Sequence, residues 1–188
     1  MKTSLKHIAH IQTGVFAKPI AEGEVVYLQA KHFDGTGKLI GSLHPDLKAN
    51  EITEKHILRC KDVIFAAKGT RNFAAYYNNE SLPAVASTSF FVIRFKENFI
   101  SKILPEYLVW FINHPNSMNY LKGKAIGTSI VSISKVVLEE LEISIPDLKT
   151  QKSILKIVEL KNKEKEIIQQ IEILKEKQIQ QQIINAIK

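Results

Sequence analysis

Short apolar runs bounded by turn residues predict strands in the first 147 residues. In one of them, "STSFFVIRF" (87–95), apolar side chains alternate on both sides, and Arg94 places a charge on one side alone. This pattern predicts a central strand with one end near solvent. The other predicted strands are "VVYLQA" (25–30), "DVIFAA" (62–67) and "EISIP" (142–146).

Helical patterns follow these strands. In "LPEYLVWFINHP" (104–115), Pro105 stands in the first turn and apolar residues recur on one face, which predicts a helix. Pro115 begins a further helical segment, and Ser134 is the predicted N-cap of a short helix at "KVVLEEL" (135–141). The mixture predicts an α+β domain over residues 1–147, with mixed short strands and flanking helices.

Residues 148–188 have a different composition, in which Lys, Glu, Gln and Ile dominate and no Gly or Pro occurs. They predict one helix about 60 Å long. Its apolar residues recur at spacings of three and four, as in a coiled coil, although Glu164 interrupts the stripe and the register slips after Leu174. We expect a helix of another chain to cover this stripe; the alternative is a helix folded back on its own domain. The predicted partner-facing residues are Ile157, Leu160, Ile167, Ile171, Leu174, Ile183 and Ile187.

The composition favours a polyanionic partner. The 188 residues carry a formal net charge of +7. The length suits one core and an appended element, and 45% hydrophobic and 24% charged residues are typical of a globular protein. Nucleic acid is favoured over a membrane surface, and the alternative is a basic protein with no such partner.

The N-terminus has no secretory signal, and no run approaches 18 apolar residues, so we expect a cytoplasmic chain with no membrane partner. The single cysteine, Cys60, excludes an intramolecular disulfide and is predicted to be a buried structural thiol.

Catalytic motifs are missing from the sequence. The six histidines have no HExxH spacing, and neither a P-loop nor a dinucleotide fingerprint occurs. The Asp-x-Lys triplets at Asp46/Lys48 and Asp147/Lys149 lack the further carboxylate that a metal nuclease needs. We therefore predict no catalytic residue, no metal site and no cofactor.

Two polar segments suit DNA contact. In "AAKGTRNFAAYYNN" (66–79), arginine can donate two hydrogen bonds to guanine, asparagine can pair with adenine, and Lys and Thr suit phosphates. The alternative is a basic hairpin with core tyrosines. The candidate residues of this segment are Lys68, Thr70, Arg71, Asn72 and Tyr76.

The second segment is "LKGKAIGTSIVSIS" (121–134), whose hydroxyls and backbone N–H groups around glycines are phosphate partners. Helix capping and turn formation offer a structural alternative. Lys18 and Lys31 add cations at predicted strand ends. The candidate residues of this segment are Lys122, Lys124, Thr128, Ser129 and Ser132.

The order of these elements resembles one half of a specificity subunit of Type I restriction-modification systems. The opening "LKHIAHIQTG", the strand and polar loop "LRCKDVIFAAKGT", and the strand "LPAVASTSFFVIRF" occur in the family's order. The most specific match is "GTSIVSISKVVLEELEISIPDLKTQKSI", with Gly127, Ile133–Ser134 and Gln151 in the expected order. The resemblance covers essentially the whole chain.

The resemblance implies a non-catalytic subunit that binds double-stranded DNA. Residues 1–147 would be the target-recognition domain, and residues 148–188 a helix for dimerisation and methyltransferase docking. Relatives carry two such domains and two antiparallel helices, and recognise a bipartite site for methyltransferase and restriction subunits. With one of each, this chain is expected to form an antiparallel homodimer. The alternative is a coiled-coil interaction or oligomerisation protein with an incidental basic surface.

Overall fold

The computed structural model describes residues 2–77, 82–125 and 131–187, and the chain divides into two compact units, Met1–Leu148 and Lys149–Lys188. The strands are β1 (Lys2–Ser4), β2 (Ala9–Thr13), β3 (Val26–Leu28), β4 (Val63–Ala66), β5 (Lys68–Gly69), β6 (Ala74–Tyr76), β7 (Ala84–Ala86), β8 (Phe90–Phe95), β9 (Val131–Ser132) and β10 (Glu142–Ser144). The helices are α1 (Leu5–Ile8), α2 (Glu97–Ile100), α3 (Pro105–Asn113), α4 (Pro115–Gly123), α5 (Lys135–Glu139) and α6 (Leu148–Ala186). Single 3₁₀ turns lie at Ala30–His32, Ala49–Glu51 and Glu54–His56.

A four-stranded antiparallel sheet in the order β2-β8-β4-β6 forms the centre of the first unit. The strand β8 lies inside the sheet, between β2 and β4, so the prediction of a central strand is confirmed. Its alternation explains its place, because Phe90 and Val92 join the main apolar core while the side chain of Arg94 reaches the end of the sheet.

The described residues also form three pairs of short strands outside this sheet. The strands β1 and β10 pair antiparallel, β3 and β7 pair parallel, and β5 and β9 pair antiparallel. The first pair joins the beginning of the unit to its last strand, and the other two lie next to loops that leave the central sheet.

The core packs around three phenylalanine rings. Phe33, Phe73 and Phe90 have ring centroids 5.5, 5.8 and 6.0 Å apart, in tilted and edge-on arrangements. The helix α3 packs against β6 and β4. Its last residue, Asn113, accepts a hydrogen bond from Ala74 N at 2.7 Å and donates one to Ala74 O at 2.9 Å. These bonds satisfy the outer edge of β6 and fix α3 along it.

The helix termini follow the predicted signals. Pro105 occupies the first turn of α3, and Ser134 Oγ accepts a hydrogen bond from Val137 N at 3.3 Å at the start of α5. The fold is therefore α+β, with short mixed strands and one long C-terminal helix, as predicted.

The prediction for Cys60 is wrong, because its side chain is exposed. The strand β4 begins only at Val63, and Cys60 lies in the turn before it, where Lys61 has a φ of 74°. The apolar run "VIFAA" that follows is buried, so the predicted strand burial began too early in the chain.

The helix α6 contains 39 residues. Many of its large apolar side chains are exposed, and no described helix is long and apolar enough to cross a membrane. All seven predicted partner-facing residues are exposed: Ile157, Leu160, Ile167, Ile171, Leu174, Ile183 and Ile187.

Candidate nucleic-acid interface

The loops that carry most of the candidate residues meet at one end of the central sheet. We call it the open end; there β2 finishes at Thr13, β4 finishes at Ala66 and β8 begins at Phe90. Main-chain hydrogen bonds join the loops: Gly14 N to Phe90 O at 3.0 Å, Val15 N to Ala86 O at 2.8 Å and Ser87 N to Leu28 O at 2.9 Å. The ends of β3 and β7 are therefore held beside the ends of β2 and β8.

The structure brings residues 67–69 of the first polar segment beside residues 131–133 of the second at this end. In the β5–β9 pair, Lys68 lies opposite Ser132, and Ile133 N donates to Ala67 O at 2.9 Å. The same loop is fixed to the turn before β8, because Ala67 N and Lys68 N both donate to Ser89 O, at 2.9 and 3.3 Å. Segments distant in sequence thus form one surface.

Three candidate side chains of this surface, Lys68, Thr70 and Arg71, are exposed. Gly69 between them has a φ of +136°, and no atom of the described residues lies within 4 Å of the position that a Cβ would occupy. Glycine is favoured there because of this backbone angle.

Arg71 lies against the turn that follows β3. A Cβ on Gly35 would be 3.3 Å from its Nη1 atom. Asp34 orders this turn, because its Oδ1 accepts hydrogen bonds from Thr36 N, Thr36 Oγ1 and Lys38 N at 2.7 to 2.9 Å. The hydrogen bond from the Thr36 hydroxyl is the main reason that the pKa of Asp34 is lowered. The guanidinium therefore has an ordered surface beneath it.

Asn72 and Tyr76 have other positions. Asn72 is buried, and its Nδ2 donates to Ala66 O at 3.0 Å, a bond that closes the loop between β4 and β6. Tyr76 is half-buried and lies opposite Val63, at the far end of β4 from Ala66. The structure does not bring Tyr76 to the open end.

Of the remaining cations, Lys18 and Lys31 are exposed in the segments that follow β2 and β3. Lys124 Nζ instead donates to Tyr120 Oη at 2.9 Å and lies 3.6 Å from the Glu140 carboxylate. The hydrogen bond to Tyr120 is the main cause of the raised pKa of Lys124. Lys122 is exposed in the last turn of α4.

The hydroxyls of the second segment divide between described and undescribed residues. Ser132 is half-buried in β9, whereas Gly127, Thr128 and Ser129 lie outside the described residues.

Sequence reasoning missed the turn between β7 and β8 as part of this surface. Ser87 Oγ and Ser89 Oγ are 2.7 Å apart, and Thr88 between them is exposed. The signal is the hydroxyl triplet that opens "STSFFVIRF", which the sequence pattern predicts as part of the strand because the apolar run follows at once.

The opposite end of the sheet, which we call the paired end, lies where β2 begins at Ala9, β4 begins at Val63 and β8 finishes at Phe95. Arg94 Nε donates to Asp62 Oδ1 at 2.9 Å, and Arg94 Nη2 donates to Asp62 Oδ2 at 2.6 Å and to Ile57 O at 3.0 Å. Among the described residues, no group of three His, Cys, Asp or Glu side chains is placed to hold a metal ion.

A family comparison matches residues 5–185 to the family described as Type I restriction modification DNA specificity domain. No curated protein sequence matches the chain.

Solved structures with the same fold include the HsdS subunit from Thermoanaerobacter tengcongensis, at a TM-score of 0.67 and 21% identity over 91% of this chain and 44% of that one. A structure from work on complex assembly of the type I R-M system has a TM-score of 0.66 and 21% identity, over 89% of this chain and 43% of that one. The Type-I restriction-modification system S subunit from M. genitalium has a TM-score of 0.58 and 14% identity, over 87% of this chain and 39% of that one. The chain spans less than half the length of these structures.

Proposed function

The chain belongs to the family of Type I restriction modification DNA specificity domains, and we propose that it is a sequence-specific DNA-binding specificity subunit of a Type I restriction-modification system. The observation that carries the proposal is the meeting of the two polar segments at the open end, where β5 pairs with β9. Exposed cations and hydroxyls on main-chain turns are the groups that contact DNA phosphates and base edges.

The roles within this surface follow from side-chain geometry. Lys18, Lys31 and Lys68 are exposed point charges suited to phosphates. Arg71 has a planar fork that can donate two hydrogen bonds to guanine, and it lies on an ordered turn. Thr70, Thr88 and Ser132 add hydroxyl groups. Asn72 stabilises the conformation of the loop through its hydrogen bond to Ala66 O.

We assign the catalytic steps to partners. In this proposal residues 1–147 recognise DNA, while residues 148–188 dock a methyltransferase subunit, through which the restriction subunit joins the complex. The chain would direct both to a bipartite site and would have no catalytic activity of its own.

The exposed apolar residues of α6 support a homodimer. Ile157, Leu160, Ile167, Ile171 and Leu174 recur at spacings of three, seven, four and three, which places them on one face of the helix. We propose that a second copy covers this face in antiparallel orientation about a two-fold axis. Two identical recognition units would then bind the same half-site in inverted orientation, and the target would be an interrupted palindrome.

Selection of DNA by the full chain tests the recognition function. The purified chain is offered random-sequence duplexes, and the retained sequences are determined. We expect an interrupted palindrome, and no cleavage or methylation of it with Mg²⁺ or S-adenosylmethionine present. Retention of duplexes without any common sequence, by a correctly folded chain, would refute sequence-specific binding.

The helix offers a matched pair of substitutions for the dimer. Ile171 and Gln169 are both exposed, two positions apart on opposite sides of α6. Ile171→Asp should dissociate the dimer, because it places a charge in the stripe, whereas Gln169→Asp should leave it intact. Sedimentation at micromolar concentration measures both. A monomeric wild-type chain, or equal effects of the two variants, would contradict the homodimer.

A second candidate function rests on the same exposed stripe. If the chain is a coiled-coil interaction protein with an incidental basic surface, α6 would pair while the selection yields no common sequence. The two experiments together separate these functions.

A further inference from the structure

Phe16 is an aromatic side chain held in solvent at the open end. It is 78% exposed and follows β2 by three residues. Exposure of a phenyl ring is unfavourable, because aromatic side chains contribute most when they are buried or in contact with a ligand. The position of Phe16 therefore calls for a physical explanation.

The backbone on both sides of Phe16 is fixed. Val15 N donates to Ala86 O at 2.8 Å, and the hydroxyl of buried Tyr27 donates to Val15 O at 3.0 Å. Ala17 N in turn donates to the same Tyr27 hydroxyl at 3.3 Å. The ring thus points outward from a loop that is hydrogen-bonded immediately before and after it.

Close packing fixes the same loop one residue earlier. A Cβ on Gly14 would lie 2.2 Å from Ser87 O and 2.3 Å from Ala86 O, so only glycine fits against the β7–β8 turn. Close packing at Gly14 and the hydrogen bonds of Val15 and Ala17 therefore hold the backbone on both sides of Phe16.

The surroundings of Phe16 indicate what it contacts. Exposed Lys18 follows it by two residues. Gly14 N and Val15 N of the same loop donate to Phe90 O and Ala86 O, on either side of the Ser87–Ser89 turn, and Ser89 O also accepts from Lys68 N. An exposed apolar ring followed two residues later by an exposed lysine is complementary to a ligand with an anionic backbone and apolar flat faces. DNA has both features, in its phosphates and its bases.

We propose that Phe16 contacts the apolar surface of a base in bound DNA, and so contributes to sequence recognition without a hydrogen bond. The inference rests on the proposed DNA-binding function and names a contact within it. The apolar surface is either the methyl group of a thymine or the face of an unstacked base.

The test uses the full chain and the duplex that it selects from random sequences. Phe16→Ala should weaken binding to this duplex by about ten-fold or more, as loss of a base contact does. Affinity for a random duplex of the same length, and the salt dependence, should be unchanged because no charge is lost. Phe16→Leu should recover part of the affinity. The control is Ile100→Ala, since Ile100 is also exposed, at 43%, in the helix that follows the paired end.

Modified duplexes separate the two kinds of surface. If the methyl group of a thymine is the contact, replacing that thymine by uracil should lower the affinity of the wild-type chain to that of Phe16→Ala. If an unstacked base is the contact, 2-aminopurine at that step should gain fluorescence with the wild-type chain and not with Phe16→Ala. Either result supports the inference.

Three results would overturn it. Phe16→Ala could bind the selected duplex with the affinity of the wild type, or its affinities for the selected and the random duplex could fall by the same factor. It could also retain DNA binding while losing association with the methyltransferase subunit, which would assign the ring to a protein interface. A failure of the proposed function is distinguishable from these, because the wild-type chain itself would then select no sequence. An unfolding temperature equal to that of the wild type verifies that each variant remains folded.

Discussion

At the paired end of the central sheet, Arg94 and Asp62 hold the strands through a side-chain ion pair, whereas main-chain hydrogen bonds hold the loops of the open end. Asp62 has 2% of its side chain exposed and Arg94 has 20%. At the open end, Gly14, Val15, Lys68 and Ile133 donate through their backbone nitrogens, and exposed side chains project beyond them. Side chains that do not support the fold can change without unfolding it, which suits a recognition surface.

The largest expected effect comes from breaking the ion pair at the paired end. Arg94→Ala leaves the Asp62 carboxylate buried without its cationic partner, with Arg59 N still donating to it at 2.9 Å, which should cost about 3–5 kcal/mol of unfolding free energy. Urea unfolding measures the loss. Lys2→Ala is the control, because its ion pair with Glu142 at 2.8 Å is exposed and its loss should change stability little. Equal stability of the Arg94→Ala variant and the wild type would remove the distinction between the two ends.

The next prediction concerns a residue that should affect DNA recognition but not the stability of the fold. Arg71→Ala should weaken binding to the selected duplex by about 1–3 kcal/mol and relax the choice of one base, while urea unfolding stays unchanged. Competition binding against single-base variants of the duplex measures both quantities. A loss of stability as large as that of Arg94→Ala would mean that Arg71 supports the fold.

A smaller effect is expected for a phosphate contact. Lys68→Ala should weaken all duplex sequences alike and reduce the slope of log affinity against log salt by about 1. Lys102→Ala, which removes an exposed lysine beyond the paired end, should leave this slope unchanged. Identical slopes for wild type and Lys68→Ala would place Lys68 outside the DNA contact.

The smallest effect concerns the turn beneath Arg71 and depends on pH. The folded-state pKa of Asp34 is lowered from 3.8, chiefly by the Thr36 hydroxyl, so its ionised form stabilises the fold above about pH 4. That contribution is lost as pH falls from 3.8 through the lower folded-state pKa. Asp34→Ala should therefore be less stable than wild type at pH 7, and the difference should shrink towards pH 2. A difference independent of pH would refute this role.

Local patterns were sufficient for the longer helices and for four of the ten described strands, β3, β4, β8 and β10. Alternation in β8 predicted its central place, Pro105 and Ser134 marked helix starts, and the change of composition after Pro146 predicted α6. Each of these features depends on neighbouring residues, so the sequence carries it directly.

The candidate surface could be predicted only as a set of segments. The pairing of Lys68 with Ser132 depends on a contact across much of the chain, and no local pattern encodes it. The register of β4 with β6 likewise decides that Tyr76 lies away from the open end. Asn72 has the residue type of a base contact, but the bond to Ala66 that occupies its amide becomes visible only when the loop is folded.

The pairing of β1 with β10 brings the two ends of the first unit side by side, with Lys2 opposite Ser144. The chain enters and leaves this unit at neighbouring strands, so replacing everything between them preserves the spacing of the flanking segments. Such a unit behaves as an exchangeable cassette. A gene that acquires a different cassette before the same helix would change the residues of the open end while the helix sequence stays unchanged.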